Sequence, residues 1–284
     1  MQHNIFRAVL FAGCLMGAGA MAQSASGECG GETACELENG VYYTALPENV
    51  QGAPVVLWLH GHNGRAERAA RPNGMARTFT RRGFVFVAPQ GTPDPSQPEK
   101  RDWNVQDGFG EPRVDVVFLT AVLDDVAARF GTDQNRVLLA GFSRGASMAW
   151  DFACAAPERI SALAVAAGGF WEPIPQSCAG PVHLFHTHGF NDRTVPLEGR
   201  QVSWGGIWYH QGNILKGLDV WREINGCIGA ADVNIVEGPN WEKRWTTCEA
   251  GSLRLQITPG GHGIPKGWSA SVLDWFEEIS PIQG

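Results

Sequence analysis

The chain has 284 residues, 44% hydrophobic and 18% charged, with a formal net charge of −7. High apolar content at modest charge excludes an intrinsically disordered chain and supplies core for one large domain or two small ones. The acidic balance, with no run of Lys or Arg, speaks against binding to nucleic acid or to an anionic membrane surface.

Residues 1–22 read as a secretory signal. Arg7 supplies the positive start, 8–16 are a short apolar stretch, and Ala20-Met21-Ala22 is an A-x-A cleavage site. The run is far shorter than the ~20 residues of a membrane-spanning helix, so no span is expected. A rival reading makes Phe11-Ala12-Gly13-Cys14 a lipid-attachment box. Loss of 1–22 removes one Arg and no acid, leaving 21 basic against 29 acidic residues, net −8. The expected location is secreted or periplasmic. Cysteine use agrees: besides Cys14, six remain, in the sequential couples Cys29/Cys35, Cys154/Cys178 and Cys227/Cys248. Disulfides are the default in an oxidising compartment. Six cysteines still allow 15 connectivities, so sequential pairing is one possibility among them. No C-x-x-C couple points to zinc, and no metal or cofactor is expected.

Residues 23–40 are small and polar, an irregular arm carrying the first cysteine couple; 41–284 read as a single domain. The apolar run 55–59 predicts a strand buried on both faces. A helix over 65–82 is broken at Pro72-Asn73-Gly74, and 84–88 is the next buried strand. Residues 91–112 form a long turn-rich loop containing Trp103, of the kind that serves as a lid or binding loop. A helix over 114–130 follows, with Val117, Ala121, Val122 and Val126 on its inner face and Gly131 ending it. Strand 137–140, helix 144–155 and strands 162–167 and 182–186 come next, then helix 215–224, strand 253–257 and helix 269–279. Such alternation predicts an α/β domain with a mostly parallel sheet covered on both faces.

The sharpest local signal is Gly141-Phe142-Ser143-Arg144-Gly145, a G-x-S-x-G sequence. Alone it is frequent by chance. Here it lies between a buried strand and a helix, where a sharp turn exposes the serine oxygen and glycines leave room for the backbone. Serine needs a base to take its proton. In the order serine, acid, histidine, the base must follow Ser143. His262, in the glycine-rich loop after the last strand, suits that role better than His183 and His186, which sit on a strand. The acid is Asp192, just past the preceding strand, rather than Asp219 or Asp232 in solvated positions. Two oxyanion donors are expected: the N–H of Arg144 and that of His62 in His60-Gly61-His62-Asn63-Gly64, with Asn63 as the alternative.

On these residues the chain resembles the α/β-hydrolases of the secreted esterase group that contains polyhydroxybutyrate depolymerases and feruloyl or acetylxylan esterases. The resemblance rests on Leu59-His60-Gly61, on the 114–130 helix feeding residues 136–145, on the HG…D…VP segment ending at Pro196, and on Gly260-Gly261-His262. Cys154/Cys178 and Cys227/Cys248 also look like the group's cysteine placement. It departs from the group at Arg144, at Gly263-Ile264-Pro265, and in the aromatic stretch 202–212. The resemblance implies a monomeric serine esterase acting on a small or oligomeric ester. Its substrates would be feruloyl or acetyl esters of plant polysaccharide, or short-chain polyhydroxyalkanoate oligomers. Alternatives are a non-catalytic carbohydrate-binding protein on a hydrolase scaffold, and a serine peptidase. Among 11 Trp, Trp103, Trp171, Trp204, Trp208 and Trp268 fall in predicted loops and are candidates for substrate contact, since an indole offers a broad apolar face with one polar edge.

Overall fold

The computed structural model describes residues 29–105, 113–204 and 206–281. The expected signal and Cys14 lie outside the described residues. The chain enters as a hairpin, β1 (Gly31–Leu37) and β2 (Gly40–Ala45), which pair antiparallel. The stretch expected to be irregular is therefore an edge strand. Its sequence hides this because Cys35 is the one β1 side chain that is fully buried, so no alternation shows. The Cys29–Cys35 disulfide closes over its start, with Cα atoms 4.9 Å apart.

β3 (Val55–Leu59) is followed by two short helices, α1 (Ala66–Ala69) and α2 (Ala76–Thr80), broken where the Pro-Asn-Gly sequence falls, and then by β4 (Val85–Pro89). Part of the expected long loop is a small hairpin, β5 (Thr92–Asp94) and β6 (Gln97–Asp102). In α3 (Asp115–Phe130) the inner face is Phe118, Leu119, Val122, Leu123 and Val126. Val117, expected inside, is 57% exposed: the larger Phe and Leu side chains set the buried stripe. Gly131 ends α3 with φ 64°, the left-handed conformation that favours glycine.

β7 (Val137–Phe142), α4 (Arg144–Ala155), β8 (Ala162–Ala166) and β9 (His183–Gly189) follow. A separate antiparallel pair, β10 (Arg200–Trp204) and β11 (Ile207–Gln211), precedes α5 (Ile214–Ile224). The chain then runs through β12 (Val233–Glu237), β13 (Asn240–Trp245), β14 (Ser252–Thr258) and α6 (Trp268–Ile279).

Among the described residues the main sheet has ten strands in the order β1-β2-β4-β3-β7-β8-β9-β14-β13-β12. The inner run from β4 to β14 is parallel throughout, with antiparallel hairpins at both edges. Strand alternation divides the core in two. Val55, Leu57 and Leu59 of β3 join the cluster against α3, α4 and α5, while Val56 and Trp58 join the cluster against α1, α2 and α6. Each such large side chain contributes about 1.5–3 kcal/mol when fully buried. The three sequential cysteine couples all form disulfides: Cys154–Cys178 pins the end of α4, and Cys227–Cys248 ties the end of α5 to the approach to β14. Because the inner strands run parallel, the loops after β3, β7, β9 and β14 open at one edge of the sheet, where open α/β folds bind ligands.

Candidate active site

Ser143 stands between β7 and α4 with φ 56° and ψ −124°, a strained backbone for a residue with a side chain. Close packing keeps it there. A Cβ on Gly145 would lie 2.1 Å from the Leu59 carbonyl oxygen, one on Gly141 2.5 Å from that of Gly145, and one on Gly168 2.3 Å from that of Ser143 itself. The Ser143 N–H donates to the Ala166 carbonyl at 3.0 Å. The glycines thus allow the turn to sit against three neighbouring strand ends.

His262 reaches Ser143 from the loop after β14. Its Nε2 lies 2.9 Å from Ser143 Oγ, and its Nδ1 lies 2.8 Å from Asp192 Oδ2. Phe142 packs on the imidazole, with ring centroids 5.0 Å apart. The other Asp192 oxygen, Oδ1, accepts from the N–H groups of Thr194 and Val195. The loops carrying acid and base are joined by backbone: Phe190 N–H donates to the Thr258 carbonyl and Asn191 N–H to that of Gly260. Gly189 permits this approach, since a Cβ there would lie 2.3 Å from the Gly261 carbonyl oxygen. Of the competing acids, exposed Asp219 pairs with Arg222 and Asp232 caps Thr246 and Thr247.

Two further histidines back this arrangement. His188 Nε2 donates to the Val195 carbonyl at 2.8 Å and stands 3.6 Å from Asp192 Oδ2. With that nitrogen protonated, His188 Nδ1 accepts from His186 Nε2 at 3.1 Å. The rings are stacked at 12° and fully buried, and burial holds both below the ordinary histidine pKa, hence neutral. His186 was expected to be a packed structural residue; His188 is the histidine of the HG…D…VP segment, which marked its place but not its contact with Asp192.

The loop after β3 approaches from the other side, with Gly61 against Ser143. The N–H of Asn63 donates to the Arg101 carbonyl at 2.7 Å, which leaves the alternative donor engaged away from the serine. The His62 side chain bonds Asp94 Oδ2 at 2.9 Å. Desolvation works to raise the Asp94 carboxyl, but hydrogen bonds from His62, Ser96 and Trp204 outweigh it and hold it down at about 2. Asp94 therefore fastens three segments to one anion. His62, Asp94 and Asp102 bring potential metal-ligand atoms within 4.8 Å of one another; His62 and Asp94 are bonded to each other, and Asp102 is paired with Arg144.

Arg144 opens α4 directly after the serine. Its guanidinium bonds Asp102 and the Trp103 carbonyl, both at 3.0 Å, and lies 4.6 Å from the Trp171 ring centroid. Trp171 in turn donates its indole N–H to Ser147 at 3.2 Å. Trp204 lies on β10 and Trp208 on β11, in strands rather than loops. Trp208 is 69% exposed, and Trp204 stands edge-on to His62. Trp103 and Trp268 correct the expectation of substrate contact. Both are buried, with their indole N–H groups given to the His60 carbonyl and Thr187 Oγ1. Their local sequences look loop-like, yet each ring fills core and its one polar atom finds an internal partner.

A family model described as "Putative esterase" matches residues 33–221, which include Ser143 and Asp192. The chain belongs to this esterase family. It is 27% identical over 198 residues to a probable feruloyl esterase C of Aspergillus clavatus, an alignment covering 63% of this chain and 66% of that protein. It is 27% identical over 243 residues to the bifunctional acetylxylan esterase/xylanase XynS20E of Neocallimastix patriciarum, covering 82% of this chain and 32% of that one. The chain thus spans between about a third and two thirds of the length of these relatives. Among solved structures, the acetyl xylan esterase from Aspergillus awamori superposes with a TM-score of 0.60 at 17% identity, over 84% of this chain and 93% of its own. The fold of this esterase is the α/β-hydrolase fold.

Proposed function

We propose that the protein is a secreted serine esterase that cleaves carboxylic esters through an acyl-enzyme. One observation carries the reading: Asp192, His262 and Ser143 form a continuous hydrogen-bonded chain that ends on the strained serine. A carboxylate only accepts, so His262 Nδ1 bears the proton and Nε2 is left to accept from Ser143 Oγ. Ser143 Oγ attacks the ester carbonyl while His262 Nε2 takes its proton. The imidazolium so formed is stabilised by Asp192, and the oxyanion by the N–H groups of His62 and Arg144 at the positive end of α4. Collapse expels the alcohol, protonated by His262. Water deprotonated by His262 then releases the acid and restores Ser143.

Export through the N-terminal signal fits three disulfides. The named activities of the relatives support feruloyl or acetyl esters of plant polysaccharide as substrates, with polyhydroxyalkanoate oligomers the other candidate. Trp171, Trp204 and Trp208 are the indoles placed to meet them. In the test, Ser143→Ala lowers kcat on p-nitrophenyl acetate by about 10⁶-fold and abolishes labelling by a fluorophosphonate. Unchanged turnover removes Ser143 as the nucleophile and overturns the reading; a wild-type protein that neither labels nor turns over the ester returns the scaffold to a binding role.

A further inference from the structure

The two residues assigned as oxyanion donors, His62 and Arg144, belong to separate parts of the chain, the loop after β3 and the start of α4. Their side chains nevertheless end on one element, the β5–β6 hairpin. His62 Nε2 bonds Asp94 Oδ2 at 2.9 Å, at the end of β5, and Arg144 Nε bonds Asp102 Oδ1 at 3.0 Å, at the end of β6. Both carboxylates are buried. The hairpin also holds the neighbouring backbone. The Arg101 carbonyl accepts the Asn63 N–H at 2.7 Å, and the Trp103 carbonyl accepts the Arg144 guanidinium at 3.0 Å. His60 is gripped from both ends of the hairpin: the Gly91 N–H donates to its Nε2 and the Trp103 indole N–H to its carbonyl. Those two ends are pressed together, since a Cβ on Gly91 would lie 2.4 Å from the Asp102 carbonyl oxygen.

Stability alone accounts poorly for this wiring. A buried ion pair such as Asp102–Arg144 roughly breaks even against an apolar pair, because desolvation offsets the attraction. Asp102 Oδ2 has no hydrogen-bond partner among the described residues, which adds to the cost. Asp94 is aimed from behind instead. Its Oδ1 accepts from the Ser96 and Gln97 N–H groups, the Ser96 hydroxyl and the Trp204 indole, which leaves Oδ2 turned to His62. What the two acids share is the geometry they impose, each fixing a residue whose own N–H must point at one oxygen. The 61–64 turn needs such support, for Asn63 sits at φ 61°, in the left-handed region. Oxyanion donors act by being aligned in advance, and a shift of about 1 Å costs about a hundredfold in rate.

We propose that the β5–β6 hairpin is a clamp that sets the spacing of the two oxyanion donors, Asp94 positioning His62 and Asp102 positioning Arg144. The assignment rests on the serine esterase reading given above. Each acid acts through another residue and is a positioning residue. The oxyanion exists only once Ser143 has attacked, so loosening the clamp lowers kcat and leaves KM in place.

His62→Ala gives the cleanest test, because it cuts the tether to Asp94 and keeps the backbone N–H. It lowers kcat on p-nitrophenyl acetate by about a hundredfold with KM unchanged. Asp94→Ala does the same, and the double variant costs no more than either single, since both cut one bond. Asp94→Asn, whose amide can donate to the other His62 tautomer, retains most of the activity. At the far end, Asp102→Asn combined with Arg144→Leu removes both charges together, keeps the backbone N–H at 144, and again lowers kcat alone. Should that pair fail to fold, His62→Ala decides, its side chain being 23% exposed. Affinity for a trifluoromethyl ketone, whose adduct with Ser143 carries an anionic oxygen, falls in step with kcat across the series; a packing role would not move it. Unchanged kcat in His62→Ala and Asp94→Ala, or a rise in KM alone, overturns the clamp and leaves the Ser143 mechanism standing. Turnover that survives Ser143→Ala overturns both.

Discussion

Histidines of opposite character flank Asp192. His262, its side chain 19% exposed, touches the carboxylate and the serine. His188 stands on the other side with His186 behind it, sealed from water and held neutral by burial. The side chains are chemically identical, so the difference lies in where they sit. A ring at the mouth of the site can take and return a proton, whereas a ring in the core can only hold its neighbours in place.

Removing the exposed ring is the harshest way to break this contrast. His262→Ala lowers kcat by about 10⁶-fold, much as loss of the serine does, because the two act as a unit. Asp192→Asn, which keeps the shape but favours the wrong tautomer, costs about 10⁴-fold. Steady-state kinetics on a chromogenic ester measures both.

The buried rings show themselves through acid stability. His60, whose pKa burial lowers to about 4, belongs with His186 and His188 in this respect. Below the ordinary histidine pKa the unfolded chain takes up protons at these sites that burial keeps off the folded chain, so stability falls as pH falls, for His60 between about pH 6.5 and 4. His60 alone accounts for on the order of 3 kcal/mol of that loss. Asp151 carries the opposite sign. From about pH 4 to 8 the folded protein retains a proton that the unfolded chain has released, so stability erodes as pH rises. Melting temperatures recorded from pH 4 to 8 drop on the acid side in wild-type protein, and Asp151→Leu flattens the alkaline side. A melting temperature that does not fall in acid contradicts the neutral buried imidazoles.

The smallest effect separates positioning from catalysis. His188→Leu removes the N–H beside Asp192 and lowers kcat by about tenfold, the scale of one hydrogen bond. It leaves KM for a small ester in place and moves the acid limb of the pH–rate profile. A loss of stability with an unmoved profile would reduce His188 to packing alone.

The sequence made the interior strands plain because β3, β4 and β8 are buried from end to end, and β7 up to its last residue, and they read as unbroken apolar runs. The convergence of Ser143, Asp192 and His262 was legible for a different reason: each occupies a loop after a parallel strand. Strands β12 and β13 escaped, since exposed Val236 and Trp241 stand where an inward pattern would be sought. Indole positions were legible only in part, because composition shows a tryptophan but not which of its faces meets water. Asp94, His188 and Asp151 went unread. Asp94 acts through His62 and Trp204, both distant in sequence, while the partners of His188 are near in sequence but their burial is set by the tertiary fold. Asp151 did leave a trace, as a lone acid inside an apolar helix.

The backbone seam between the Asp192 and His262 loops has a mechanical consequence. With Phe190 and Asn191 bonded across to Thr258 and Gly260, the two loops move as a single body, so their mutual spacing is insulated from thermal motion in either. The adjustable gap is the one to the serine, which rides on separate supports, β7 and α4. Breathing of this molecule will therefore modulate how often Ser143 and His262 meet, while His262 and Asp192 remain in register.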